Sequence, residues 1–176
     1  MVIFKLFLEL FTSEAFLVTA FAWLISQLSK ATVNLIKTKK FVLSQLFSSG
    51  GMPSGHSATV ASLTAICAVV YGFDSPGFVV ALMLAMIVMH DAMGVRLETD
   101  KQNDMLKKLA EKHNAAVTDE KDKIDISVLK PAVGHTKPQV FVGAALGVLI
   151  VLFYCLVLRD TCAEWGVAIR EWLATL

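Results

Sequence analysis

The sequence predicts an all-α fold, a polytopic membrane bundle of about four spanning helices with a C-terminal amphipathic helix lying at the interface. Two observations predict the membrane. Apolar residues make up 56% of the 176 residues and charged ones only 18%, which is too apolar for an ordinary soluble domain of this length. The apolar residues are also gathered into four segments, each close to the roughly 20 residues that a helix needs to cross a bilayer. A third observation predicts the bundle's order: Gly and Pro punctuate the boundaries between segments, so consecutive helices turn back on one another.

The first segment runs from about Phe11 to Ile36 and becomes polar toward its end. The preceding "MVIFKLFLELF" lacks a basic leader, carries Glu9 and is followed by no small-residue cleavage site. It reads as the retained start of the first helix or as a short interfacial helix. The second segment, Ser54 to Tyr71, and the third, Pro76 to about Met93, are joined by "GFDSPG" and should form an antiparallel hairpin. A charged stretch follows at about 97–133. Within it "KQNDMLKKLAEKH" suits a surface helix and "TDEKDKID" a solvated loop. The fourth segment runs from Pro138 to Leu158. The last, Ala163 to Leu176, spaces Trp165, Ile169, Trp172 and Leu176 along a helix interrupted by Glu164, Arg170 and Glu171, a pattern for the interface rather than for a span. The whole chain, 1–176, reads as one domain. Cys67 and Cys155 sit in apolar runs, and with Cys162 they match no zinc or redox spacing, so no disulfide is expected. A net charge of +1 gives no electrostatic case for a nucleic-acid partner.

Alternating helices place four ends on one side of the membrane, and the unusual polar residues all fall there. Gln27, Lys30, Asn34 and Lys37 share one face of the first helix. Ser54, Gly55, His56 and Ser57 open the second, His90, Asp91 and Arg96 close the third, and Gly134, His135, Thr136 and Gln139 open the fourth. A helix N-terminus offers unpaired backbone N–H groups and a positive partial charge, which is a site for an anion. Here Lys30, Lys37 and Arg96 add full charges, and Ser54 and Ser57 add hydroxyls. An ionisable residue such as Lys30, a turn or more inside a span, is costly and needs a reason. The pattern describes a pocket for a tetrahedral oxyanion such as phosphate, with one imidazole to attack and another to protonate the leaving oxygen. A Gly-Pro-Ser cluster is by itself an ordinary turn, and lysines such as Lys39 and Lys40 are ordinary flanking anchors. A metal site built from His56, His90, His135 and Asp91 has no support in their spacing.

At these residues the chain resembles the divergent branch of the type 2 phosphatidic acid phosphatases, a superfamily that includes vanadium haloperoxidases. Pro53, Ser54, Gly55 and His56 reproduce its second motif unchanged. The first motif, Lys, six residues, Arg-Pro, is met by Lys30 and Lys37, with Thr38 in place of Pro. In the third, His135 matches, Gln139 stands where the superfamily has Asp and the divergent branch usually Glu, and Leu129, beside Lys130, occupies the Arg position. "GGMPSGHSA", "DAMGVR" and "GHTKPQV" look like the divergent branch itself, and the resemblance covers about residues 24–147. It implies that His135 is a nucleophile forming a phosphohistidine and His56 the acid for the leaving alcohol. Lys30, Lys37, Ser54, Gly55 and Arg96 would hold the phosphoryl oxygens, and neither a metal nor another cofactor is required. Gln139 can orient His135 without stabilising its cation, so Asp91 is the remaining carboxylate that could supply the charge.

The expected function is thus a lipid phosphatase acting on a phosphomonoester or diphosphate of a phospholipid or isoprenoid. Membrane lipids are the surroundings, and homo-oligomers are compatible with the sequence. The alternative is a weakly active or inactive lipid-phosphate binder, favoured by Gln139. A transporter would need polar residues through the midplane, where the second and third segments have few. Of the 16 Lys and Arg, 12 lie in 37–40 and 96–137, on the motif side, so the positive-inside rule places that side in the cytoplasm.

Overall fold

The computed structural model describes residues 2–39, 51–128 and 134–160. Its elements are helical throughout: α1 (Val2–Phe11), α2 (Glu14–Thr38), α3 (Gly55–Tyr71), α4 (Pro76–Met93), α5 (Val95–Ala116), two short 3-10 turns (Glu120–Asp122 and Ile126–Val128) and α6 (Lys137–Phe153), which ends in a π turn at Tyr154–Leu158. The expected interfacial helix at 163–176 lies outside the described residues, as do Cys162, Leu129 and Lys130.

Three helical stretches, Glu14–Ile36, Pro76–Ala116 and Lys137–Leu158, are long and apolar enough to cross a membrane. A shorter apolar helix, Gly55–Tyr71, stands at the second of the four expected segments. The second apolar segment forms only the 17 residues of α3, about 26 Å at 1.5 Å per residue, against a hydrocarbon core of about 30 Å. The shortness has a local cause at each end. Ser54 caps the N-terminus, its Oγ accepting from the Ser57 N–H. Gly72 stops the C-terminus at φ 88° and ψ 158°, a backbone region essentially restricted to glycine.

α3 is nevertheless the centre of the bundle, packed against α2, α4 and α6. Small residues make the approach possible. Ala22, Ala31, Ala58, Ala61, Ala81 and Ala85 are buried, whereas Val80, Ile87, Phe141 and Leu149 point outward, the arrangement expected where lipid is the solvent. On α6, Gly143 lies against the backbone of Ser54, and Gly147 lies against the Ala58 carbonyl and the Ser62 N–H. The Thr64 hydroxyl bonds the Ala81 carbonyl at 3.1 Å, tying α3 to α4. Ala15, Val18, Ile66 and Val151 form a buried cluster at the end of the bundle away from the motifs. There Glu14 and Arg159 pair across α2 and the end of α6, with Nε to Oε1 3.4 Å.

Two boundaries are set by the structure. The N-terminal stretch is a helix of its own, separated from α2 at Thr12–Ser13, with Ile3, Phe4 and Phe7 exposed. The charged stretch at about 97–133 is helical over most of its first half, because Gly94 bends the chain without ending the hydrogen bonding: its N–H reaches the His90 carbonyl and its own carbonyl accepts from Glu98. Beyond α5, the Asn114 side chain bonds both the N–H and the carbonyl of Ile124, each at 2.8 Å, which folds the loop back on the helix.

Candidate functional site

The polar face of α2 is buried where it meets the start of α3. Lys30 is 7% exposed and Gln27 8%, and their polar ends lie together against Gly55. A Cβ on Gly55 would sit 3.3 Å from Lys30 Nζ, 3.3 Å from Ser26 Oγ and 3.5 Å from Gln27 Nε2. Gly55 is therefore what lets a cation and an amide crowd the first turn of α3, where backbone N–H groups lack intrahelical partners. Lys37 belongs to the last turns of α2, and its side chain lies outside the described residues.

Ser54 and Ser57 are both fully buried. The Ser57 hydroxyl donates to Ser54 Oγ at 3.0 Å, so the pair forms a small cap network. The Ser54 N–H in turn donates to the Gln139 carbonyl at 3.1 Å. That bond fastens the start of α3 to the first turn of α6, the two segments on which the paired histidines lie.

The elbow between α4 and α5 contributes Asp91 and Arg96, five residues apart, joined by Arg96 Nε donating to Asp91 Oδ2 at 2.6 Å. Both side chains are more than a third exposed, so the pair is worth at most about 1 kcal/mol to stability. It sets the direction of the guanidinium. His90 turns away, to an outer groove that it lines with Met86, Ile87, Asp91 and Val95. The Ala92 carbonyl accepts the His135 N–H at 3.2 Å, and the Gly134 N–H donates to the Asp100 carboxylate. The segment before α6 is thereby strapped across the elbow.

His135 is 1% exposed. Its Nδ1 lies 3.4 Å from Gln139 Oε1, and the same oxygen accepts the Thr136 N–H at 2.9 Å. An amide oxygen can only accept, so Nδ1 carries the hydrogen and Nε2 keeps its lone pair. Nε2 is buried and finds no hydrogen-bond partner among the described residues. The His56 ring is 6.3 Å away, centroid to centroid, at 58°, so the two imidazoles are neighbours at one site. Burial pushes the His135 imidazole below the usual histidine range. Its bond to Gln139 opposes the shift, and the charges of Lys30, His56 and Arg96 reinforce it. Neutral His135 is thus the form held at neutral pH. Among the described residues no group of three or more His, Cys, Asp and Glu side chains could hold a metal ion.

Residues 11–150 match the divergent PAP2 family. The chain belongs to that family. A relative from Bacillus subtilis (strain 168), the uncharacterized membrane protein YuiD, is 35% identical over 151 residues, which is 82% of this chain and 96% of YuiD. No solved structure matches the chain. With its spans and its relative, this divergent PAP2 chain is a multi-pass integral membrane protein.

In this PAP2-family chain, Lys30, Ser54, Gly55, His56, His135 and Gln139 come together at the α2–α3–α6 junction, and Arg96 and Asp91 approach it from the elbow. Sequence reasoning named Asp91 as a substitute carboxylate for His135. In the structure its hydrogen-bond partner is Arg96, and the amide of Gln139 is what meets His135. One contribution was not foreseen. The Ala92 carbonyl holds the His135 backbone, and a backbone acceptor leaves no mark in a sequence. Gln27, which the sequence places on the face of Lys30, lies buried at Gly55.

Proposed function

We propose that this chain is a membrane-embedded phosphatase that hydrolyses a lipid phosphomonoester or diphosphate through a phosphohistidine. The observation that carries the reading is the state of His135: buried, oriented through Nδ1, with a lone pair at Nε2 that meets no donor among the described residues, and next to a second imidazole. In the first step Nε2 attacks phosphorus. The N–P bond forms, the bond from phosphorus to the leaving oxygen breaks, and protonated His56 gives that oxygen its hydrogen. In the second step neutral His56 takes a proton from water. The water oxygen attacks phosphorus, the N–P bond breaks, and inorganic phosphate leaves with His135 and His56 restored. Lys30, Arg96 and the first N–H groups of α3 oppose the charge on the phosphoryl oxygens throughout.

The test is release of inorganic phosphate from a panel of lipid phosphates by the purified full chain in detergent, with trapping of the phospho-enzyme. His135→Ala should abolish both turnover and the covalent intermediate. His56→Ala should slow turnover by about 10²-fold or more, while a substrate with a good leaving group still labels the enzyme. Wild-type turnover in both variants would overturn the mechanism.

Gln139 supports a second reading. An amide orients His135 without neutralising the cation formed when Nε2 bonds phosphorus, so a lipid-phosphate-binding protein with little or no turnover fits the same geometry. Tight binding of the lipid phosphates by the wild type, with no phosphate released from any of them, would favour it.

A further inference from the structure

Gln27 is the second unsatisfied acceptor of this site. Its side chain is nine-tenths buried, and Oε1 finds no hydrogen-bond donor among the described residues. Its Nε2 lies beside the Lys30 ammonium against Gly55, so the amide belongs to the pocket at the start of α3. A buried carbonyl oxygen with no donor carries a free-energy penalty, and native proteins seldom leave one without a role. Apart from His135 Nε2, whose lone pair is reserved for phosphorus, the groups assembled for an anion here, the cations and the backbone N–H groups, are donors. An acceptor among them suits only a ligand that brings a hydrogen of its own.

We propose that Gln27 is a ligand-binding residue whose amide oxygen accepts the P–OH hydrogen of a singly protonated terminal phosphate, so that the site selects a phosphomonoester end over anions that carry no hydrogen. The inference rests on the phosphate-site reading above and adds its specificity. A phosphomonoester holds its last hydrogen until a second ionisation near pH ~6. Sulfate at that pH has none, and neither has a phosphodiester, whose one ionisable oxygen is already bare. The phosphodiester case matters most, because ordinary bilayer phospholipids are diesters and surround the pocket in large excess. A site built to hydrogen-bond one hydrogen strongly rejects the analogue that lacks it.

The experiment measures protection of the full chain in detergent against thermal unfolding by inorganic phosphate and by sulfate, near pH 6 and at constant ionic strength. Wild type should prefer phosphate. Gln27→Met keeps the length and removes the acceptor. It should bind phosphate about tenfold more weakly, bind sulfate unchanged, and melt at a higher temperature without ligand, because a buried unsatisfied oxygen has gone. Gln27→Asn, which withdraws the amide by one methylene, should lose the phosphate preference in the same direction and serves if the Met variant fails to fold. An unchanged ratio of phosphate to sulfate affinity in these variants would overturn the role of Gln27. A wild type that binds neither phosphate nor sulfate would instead overturn the phosphate site itself.

Discussion

Gln139 is one residue with two tasks. Its side-chain oxygen closes the first turn of α6 on Thr136 and fixes the tautomer of His135. Glutamate at this position would keep both bonds and add a charge. In a serine-protease triad the comparable acid-to-amide change costs about 10⁴ in rate, which is the ceiling for what can be recovered here. Asp91 is engaged with Arg96 rather than with His135, so Asp91 does not blunt the change. Gln139→Glu should therefore raise turnover at neutral pH by about tenfold or more. The pH profile gives a second readout. Wild-type activity needs neutral His135, and burial depresses that imidazole, so the acid limb of the profile, which His135 sets, should lie below the ordinary histidine range. A carboxylate at 139 favours the imidazolium, so the acid limb of the variant should move up by about one unit or more. Unchanged turnover together with an unmoved limb would show that His135 is not an acid-assisted nucleophile.

At the scale of elements, the site depends on how closely α6 can approach α3. A Cβ at Gly147 would run into the Ala58 carbonyl and stand 3.0 Å from the Ser62 nitrogen. Backbone atoms of a central helix cannot step aside as a flexible side chain can. Gly147→Ala gains roughly 1 kcal/mol in helix propensity, and overpacking of about 1–3 kcal/mol opposes it. The net effect should be a lower melting temperature in detergent, whereas Ala145→Leu on the outer face should leave it unchanged. A Gly147→Ala protein as stable as wild type would mean that the two helices do not pack this closely. The glycine step was legible in the sequence as a fourth-residue spacing, and so were the caps that open α3, α4 and α6, because caps and punctuation act over three or four residues. The division of α1 from α2 at Thr12–Ser13 was half legible, because the sequence allowed either a short helix of its own or the start of the first helix. The outward turn of His90 and the engagement of Asp91 with Arg96 were not legible, since they depend on where the elbow points each side chain.

For the whole molecule, the motif-bearing ends of α2, α3, α4 and α6 lie on one side of the bundle, and the Glu14–Arg159 pair marks the other. The convergence inferred from alternating helices was legible because direction follows from connectivity alone. Which face of the membrane that side meets is a separate matter, and the positive-inside rule assigns it to the cytoplasm. A cysteine placed at Asn103 on α5 should resist an impermeant thiol reagent in intact cells and react after permeabilisation, read against a protein with its native cysteines removed. Labelling in intact cells would place the site on the outer face.

The length of α2 relative to α3 also governs how a substrate meets the protein. Lys30 stands at the level of Gly55, yet α2 continues to Thr38, eight residues or about 12 Å farther along its axis. On the α2 side, then, the site has a wall of helix standing beyond it. On the proposed reading, a lipid headgroup reaches it by diffusing sideways in its own leaflet, and only the small, water-soluble product has to climb out. Encounter then becomes a two-dimensional process, governed by how many phosphate-bearing lipids share the leaflet and hardly at all by how much lipid the surrounding volume contains.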